Sequence, residues 1–248
     1  MPGFLVQPED VNGNELVIRA DEAHHLMRAR RRVEGDVIDV LDGSGRLFRA
    51  RVLSEEDDMV RCRILECTEE GGESVVRLHL GTSLIKGARY DAVVEKGTEV
   101  GIASFSPFTS ERTVASVGSS QKQDRWERLV VAAAKQCGRC RLPLIFEPST
   151  LPEVTQRLLD SCDRVLMATA DHVHDGGELR NALAGDPPTS VGLLVGPEGG
   201  FAAGEIGEAR ARGIHTFSWG SRTLRAETAC IVLAAIVLHE AEPIRGGG

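Results

Sequence analysis

Residues 191–201 read VGLLVGPEGGF, and after a short amphipathic run residues 214–229 read IHTFSWGSRTLRAETA. Val191–Val195 is a continuous apolar run of strand length, the pattern of a strand buried on both faces of a parallel sheet. It breaks into Gly196, Pro197, Glu198, Gly199 and Gly200. Glycines at a strand's C-terminal end let backbone N–H groups approach a ligand with no Cβ atoms in the way. Ile206 and Ala209 share one face of a helix, and Gly213 is its natural stop. Ile214–Trp219 reads as a further strand. It ends in a second glycine turn, Gly220 to Leu224, before a helix opening near Ala226-Glu227-Thr228. Two such loops at the carboxyl ends of neighbouring strands place a ligand in the crevice between them. Neither GxxxxGK[ST] nor GxGxxG is present, so the common nucleotide fingerprints are not met. On spacing alone the pair reads equally as a small-molecule site or as two tight turns.

Outward from this stretch, Val76–Leu80 is strand-like and Lys86–Gly101 follows a helical rhythm. Tyr90, Val93, Val94, Gly97 and Val100 share a face there, and Gly101 supplies the stop. Ile102–Phe108 reads as a buried strand ending at Thr109-Ser110-Glu111-Arg112. Ser120 and Gln123 have the spacing of a capping box. The helix they open carries Trp126, Leu129, Val130, Ala133, Ala134 and Cys137 on one side. Arg164–Ala168 is another strand. This βα alternation predicts an α/β fold, a parallel sheet flanked by helices. The last helix, about 226–241, is apolar nearly all round from Ala229 to Leu238, so it must be covered on most sides, and a second subunit is expected to add to the cover the core provides.

Residues 1–72 differ. Leu16–Arg19, Val37–Leu41, Leu47–Leu53 and Met59–Leu65 are short β-prone runs, and Asp42-Gly43-Ser44-Gly45 is a turn between two of them. The spacing predicts a compact barrel. Asp21 is placed to cap a short helix. Arg28, Arg30, Arg31 and Arg32 follow as the densest basic cluster, readable as a solvated surface run or as a phosphate-contacting patch. Glu69–Ser74 reads as a linker. The expected division is therefore 1–72 and 73–248.

The 248 residues are 42% apolar, enough for two cores. No run approaches the roughly 20 apolar residues that span a bilayer, and MPGFLVQPED lacks the basic and apolar regions of a secretory signal. The six cysteines are sparse for a disulfide scaffold, so a cytoplasmic protein with free thiols is expected. A net charge of −8 argues against nonspecific coating of nucleic acid, and it leaves room for a local basic patch. Cys137-Gly138-Arg139-Cys140 has redox or half-zinc spacing, but its first cysteine ends a helix rather than starting one. His172 and His174 form a further candidate pair. No metal is expected at either place.

GPEGGF followed by LRAETA resembles the SPOUT methyltransferases, and most closely the RsmE family. The resemblance extends along the chain. HHL with its basic stretch, Gly35-Asp36 and LDGSG resembles the family's PUA-like β-barrel. Lys96-x-Thr98-Glu99-x-Gly101, Ser110-Glu111-Arg112 and AAKQCGRCRLP also match family patterns. It departs at Ser221 and Thr223, where the family usually has Pro and Ile, and at Gly3-Phe4, where it has Arg-Phe. The resemblance implies a deep trefoil knot in the C-terminal domain and a PUA-like RNA-binding barrel before it. It implies a homodimer, and S-adenosylmethionine (SAM) as cofactor. The implied reaction is methylation of N3 of a uridine in 16S small-subunit ribosomal RNA. A ribose 2′-O-methyltransferase, an RNA-binding protein with a vestigial SAM site, and an unrelated doubly wound nucleotide enzyme are the alternatives.

Loss of the N3 proton leaves an anionic ring, which a nearby cation stabilises. By resemblance the catalytic candidates are Arg112, Arg225 and Glu99. Arg112 also reads as a surface partner of Glu111, and Glu227 as a carboxylate that favours a helix dipole. The cofactor candidates are Thr169, Leu194, Val195, Gly196, Pro197, Glu198, Gly199, Gly200, Trp219, Gly220, Leu224, Arg225, Glu227, Thr228 and Ala229. The RNA candidates are Arg28, Arg30, Arg31, Arg32, Lys86, Lys96, Arg112, Gln136 and Arg139.

Overall fold

Alternation of buried and exposed side chains in the middle of β-strands builds the N-terminal sheet, in a computed structural model that describes residues 3–29, 31–114, 120–169, 178–218 and 220–242. The chain divides into two units, Met1–Glu73 with Val131–Leu142, and Ser74–Val130 with Pro143–Gly248. In the first, β1 (Phe4–Leu5), β2 (Val11–Asn12), β3 (Glu15–Arg19), β4 (Val37–Leu41), β5 (Arg46–Glu56) and β6 (Met59–Glu69) form one sheet in the order β1-β4-β5-β6-β3-β2. All its pairings are antiparallel except β1 with β4. Its core takes Ile18, Ile38, Val40, Phe48, Ala50, Val52 and Val60 from the inward strand positions, and Leu26 from the helical segment after α1.

The turn between β4 and β5 forms as expected. The buried Asp42 carboxylate accepts the Ser44 and Arg46 backbone N–H groups at 2.9 and 3.0 Å and pairs with Arg46 Nε at 2.6 Å. Burial alone pushes the Asp42 carboxyl upward, but the bonds from Ser44 and Arg46 outweigh it and hold the pKa below the usual value. Asp21 does not cap a helix. The short helix α1 (Ala20–His24) has Arg19 at its N-cap, and Asp21 lies inside its first turn.

The expected linker is pinned rather than free. Glu73 forms a buried ion pair with Arg139 at 2.8 Å, with only 8% and 4% of the two side chains exposed, and it also accepts the Arg141 N–H at 3.0 Å. Glu70 pairs with Arg141.

The second unit opens with β7 (Arg77–Ser83), α2 (Ala88–Val100), β8 (Ile102–Thr109) and α3 (Ser120–Cys137), whose last turns belong to the first unit. Then come β9 (Leu144–Ile145), β10 (Ser149–Thr150), α4 (Leu151–Ser161), β11 (Arg164–Thr169) and α5 (Glu178–Leu183). Last are β12 (Ser190–Val195), α6 (Ala203–Ala211), β13 (His215–Ser218) and α7 (Ala226–Ala241). The strands run in the order β10-β8-β7-β12-β11-β13, with β9 also on β8, and every pairing is parallel. Parallel neighbours require long crossovers, which the helices provide.

The expected sheet with flanking helices is present. β12 is buried along its length after Ser190 because α4 covers one face of the sheet and α7 the other. The chain returns from β13 at the sheet edge to pack α7 on α2, β7 and β12. Gly101 ends α2 in a left-handed conformation (φ 114°).

Two helices are additional to those expected from the sequence, α4, whose Thr150 and Glu153 form a capping box, and α5. The capping box expected at α3 is only partly open to description. The Ser120 side chain lies outside the described residues, and Gln123 Nε2 donates to the Ile145 carbonyl at 2.9 Å. The tail 243–248 also lies outside them. Among the described residues no helix is long and apolar enough to cross a membrane.

Candidate functional site

Because β11, β12 and β13 are parallel and adjacent, their carboxyl ends meet at one edge. Thr169, Val195 and Ser218 stand there, and the two glycine loops leave from it. Together with the first turns of α7 they enclose a cleft of about 670 Å³, counting its open mouth. Gly200 adopts φ +68°, and its N–H closes a 2.8 Å turn onto the Pro197 carbonyl. A Cβ on Gly196 would meet the Phe201 ring at 3.1 Å. Phe201 is buried and stacks on Phe108 at 6.1 Å, which anchors the far end of the loop while its middle stays bare backbone. Leu224, Ala226, Ala229 and Leu233 give the cleft an apolar wall.

Nine of the expected cofactor residues line this cleft: Thr169, Val195, Gly196, Pro197, Glu198, Gly200, Gly220, Leu224 and Ala229. Others do not. Leu194 points the opposite way from its neighbour Val195 and packs in the core under α4 with Val154 and Leu158. Gly199 lies beneath Arg112. Arg225 and Thr228 are exposed and do not line the cleft. Glu227 is half-buried beside it, and its buried Oε2 has no hydrogen-bond partner among the described residues. Trp219 lies outside the described residues. Ala168, Ser218, Arg222, Thr223, Ala226 and Leu233 also line the cleft, though none is among the named cofactor candidates. Ala226 and Leu233 were recoverable, because with Ala229 they have the i, i+3, i+7 spacing of one helix face.

Arg112 is brought to the cleft's rim. Its Nη1 donates to the Gly199 carbonyl at 2.9 Å rather than pairing with Glu111. The loop carrying it is fixed at three points. Ser110 N–H donates to Thr113 Oγ1 at 2.8 Å, Thr113 Oγ1 bonds Ser83 Oγ at 2.9 Å, and Glu111 N–H donates to Glu205 at 2.9 Å. Glu198 of the glycine loop pairs with Arg89 of α2 at 2.7 Å.

Glu99 is not brought there. α2 runs back against its strands, so its last turn lies at the other edge of the sheet. There Glu99 and Glu95 pair with Lys96, at 2.8 and 2.9 Å. Lys96 is held away from the cleft by the same geometry. Arg139 is a correction of another kind. Its guanidinium is buried on Glu73 and cannot reach RNA. Lys86 and Gln136 are exposed, and Lys86 lines a separate hollow with Lys122 and Arg125. Arg28 and Arg31 are exposed, Arg32 lies 3.8 Å from Asp36, and Arg30 lies outside the described residues.

Cys137 is exposed and Cys140 buried. Burial first, then Glu73 and Glu70, push the Cys140 thiol up to about 11, opposite to the lowered value a redox pair needs. Among the described residues no group of three or more His, Cys, Asp or Glu could hold a metal ion. His172 and His174 lie outside them.

The family model for the RNA methyltransferase domain matches residues 72–238, and that for the RNA methyltransferase PUA domain matches residues 18–65. The chain is 31% identical over 236 residues to a protein of Synechocystis sp. named ribosomal RNA small subunit methyltransferase E. That match covers 94% of this chain and 75% of the relative. A Bacillus subtilis protein of the same name is 28% identical over 92% of this chain and 91% of its own length. Among solved structures, a putative methyltransferase from Legionella pneumophila in complex with SAM has TM-score 0.78 and 26% identity, covering 96% of this chain and 97% of that one.

Proposed function

The chain belongs to the RNA methyltransferase family, alongside the ribosomal RNA small subunit methyltransferase E proteins, and on that premise we propose that it transfers a methyl group from SAM to N3 of a uridine in small-subunit ribosomal RNA. The observation that carries this reading is the cleft. Two glycine loops, leaving the parallel strands β12 and β13 on either side of β11, enclose it, and Arg112 is tied to its rim.

The cleft suits SAM. Its walls at Val195, Leu224, Ala229 and Leu233 are apolar, as a ligand's flat and aliphatic parts require, and the backbone at Gly196 and Glu198 offers amide groups for the polar edges. Bound there, SAM supplies an electrophilic methyl carbon on a sulfonium. The chain's own residues hold and orient, and alignment of this kind is worth several kcal/mol, on the order of 7 or more at its best. Arg112 uses one of five guanidinium donors on Gly199 and keeps others for an oxygen of the uracil ring. As the N3 proton leaves, those donors meet the charge that develops on the ring. The proton leaves to water through the open mouth. Arg225, exposed at the α7 N-cap, stands ready for a nearby phosphate.

In this reading residues 73–248 carry the chemistry and residues 1–72 help hold the RNA, with Arg28, Arg31 and Arg32 among the contacts. The protein works in the cytoplasm on the small subunit. A second copy covers the part-exposed apolar residues Ile231, Val232, Ala235 and Ile236 of α7; a monomer by light scattering at micromolar concentration removes that part of the reading.

The test uses methyl-labelled SAM, the protein, and small ribosomal subunits from cells lacking the gene, followed by digestion to nucleosides and mass spectrometry. The expected product is N3-methyluridine at one position. Label in a ribose methyl group moves the target atom to the 2′-oxygen. Absence of label with intact SAM binding refutes the substrate.

A further inference from the structure

The outward face of β5 and β6 carries arginines for which the cleft has no use. Ala50, Val52, Val60 and Cys62 point inward and are buried, while Arg49, Arg51, Arg61 and Arg63 are exposed between them. Strand register sorts these four. Arg49 lies opposite Asp39 on β4 and opposite Glu66 on β6, so its row balances its own charge. The next row runs Val37, Arg51, Arg63, Glu15 across β4, β5, β6 and β3. Two arginines are direct cross-strand neighbours in it, an arrangement that destabilises a sheet. Arg61 stands two residues before Arg63 on the same face, opposite Val17 and Ser54. Among the described residues neither Arg51 nor Arg61 makes an ion pair or side-chain hydrogen bond, and the one carboxylate near Arg63 is Glu15, at 4.0 Å and well exposed.

A repulsive cluster that the sheet itself compensates only at its end, through the exposed Glu15, is relieved by an anion laid across it. We propose that Arg51, Arg61 and Arg63 form a docking face for the phosphate backbone of the substrate RNA. This rests on the reading of the protein as an RNA methyltransferase and deepens it by placing the grip on the strand face rather than in the Arg28–Arg32 run alone. The three Cα positions lie ~5 Å apart across strands and ~7 Å apart along β6. At that spacing one extended run of phosphodiesters meets more than one guanidinium. Val37, exposed at one end of the row, gives apolar contact for a sugar. The chain as a whole carries −8, so repulsion of RNA elsewhere sharpens the contrast with this face. Backbone contacts of this type set position and grip without reading sequence.

The experiment measures binding of small-subunit ribosomal RNA to the full-length protein across a salt series, with SAM affinity, thermal midpoint and methyl transfer followed in parallel. The variants are Arg51→Gln, Arg61→Gln, Arg63→Gln, their triple combination, and Arg49→Gln for comparison. Each of the first three is expected to weaken RNA binding about two- to fivefold near 0.1 M salt. The triple variant should flatten the slope of log affinity against log salt by about 2, at ~0.7 for each lost phosphate contact. SAM affinity stays unchanged, and the thermal midpoint of Arg51→Gln stays equal or rises, because a like-charge pair is gone. A merely structural role would lower the midpoint instead. Wild-type affinity and slope in the triple variant overturn the docking face, as does an equal loss in Arg49→Gln, which would reduce the effect to net charge. If the wild type binds RNA through these arginines but labels no nucleoside, the methyltransferase reading falls and the docking face stands. If the wild type binds no RNA, both fall.

Discussion

At the scale of single residues, two arginines that look alike in sequence have opposite settings. Arg112 is exposed at the cleft's rim, on a loop fixed by Thr113, Ser83 and Glu205. Its role is to meet charge that exists only in the transition state, so Arg112→Ala is expected to lower turnover about a hundredfold or more. SAM affinity, which rests on the glycine loops, should change about twofold at most. Equal loss of both in a titration and a kinetic assay would make Arg112 a loop brace. Arg139 is buried on Glu73. Arg139→Ala leaves that carboxylate buried without its partner, at a cost of about 3–5 kcal/mol. Replacing both by apolar residues, Arg139→Met with Glu73→Leu, should recover most of that, read as a urea midpoint at constant slope. If the single and double variants fall equally, the pair is not what holds the 70–73 segment.

At the scale of elements, β7 and β8 carry a pH dependence. His79 on β7 bonds Ser104 Oγ on β8 at 2.8 Å. Burial, and secondarily Arg77, hold its pKa below the ordinary 6.5. The unfolded chain therefore binds the His79 proton more readily than the folded one. Its contribution to stability is complete above pH 6.5 and is lost as pH falls from there through the lower folded value. Thermal midpoints should decline from about pH 7.5 to about pH 5, and His79→Gln should flatten that decline. An unchanged slope would assign it to other groups.

The same elements mark how far sequence reached. β12, α6, β13 and α7 were legible because a buried parallel strand, a glycine loop and an apolar helix each leave a continuous pattern. α4 was passed over although Thr150 and Glu153 carry its capping signal. Arg139 reads as an RNA contact in sequence because nothing in its own motif points to Glu73, 66 residues earlier. Glu99 was assigned to the site because a motif gives no direction of travel, whereas α2 carries it to the far edge of the sheet. The Arg51–Arg63 pair is invisible in sequence, since it exists only once β5 and β6 take their register.

At the scale of the whole molecule, the cleft lies entirely within the second unit and the arginine face entirely within the first. Ligand linkage can separate the two. A ligand that binds only the folded state stabilises it by mass action, about 2.7 kcal/mol at one hundred times its dissociation constant. For a unit of this size each kcal/mol raises the midpoint by roughly 2–4 °C, so SAM should lift it by about 5–10 °C. In calorimetry that shift belongs to the unfolding of residues 74–130 and 143–248. Where the first unit melts as a separate transition, its midpoint stays in place with SAM. NAD and ATP should shift neither, because neither glycine loop has a dinucleotide or P-loop pattern. Arg51→Gln should leave the SAM shift intact, since no residue of the strand face touches the cleft. A shift with NAD or ATP equal to that with SAM would return the protein to the general class of doubly wound nucleotide enzymes. No shift with SAM at any concentration would leave the cleft without its cofactor and the methyl transfer without a donor.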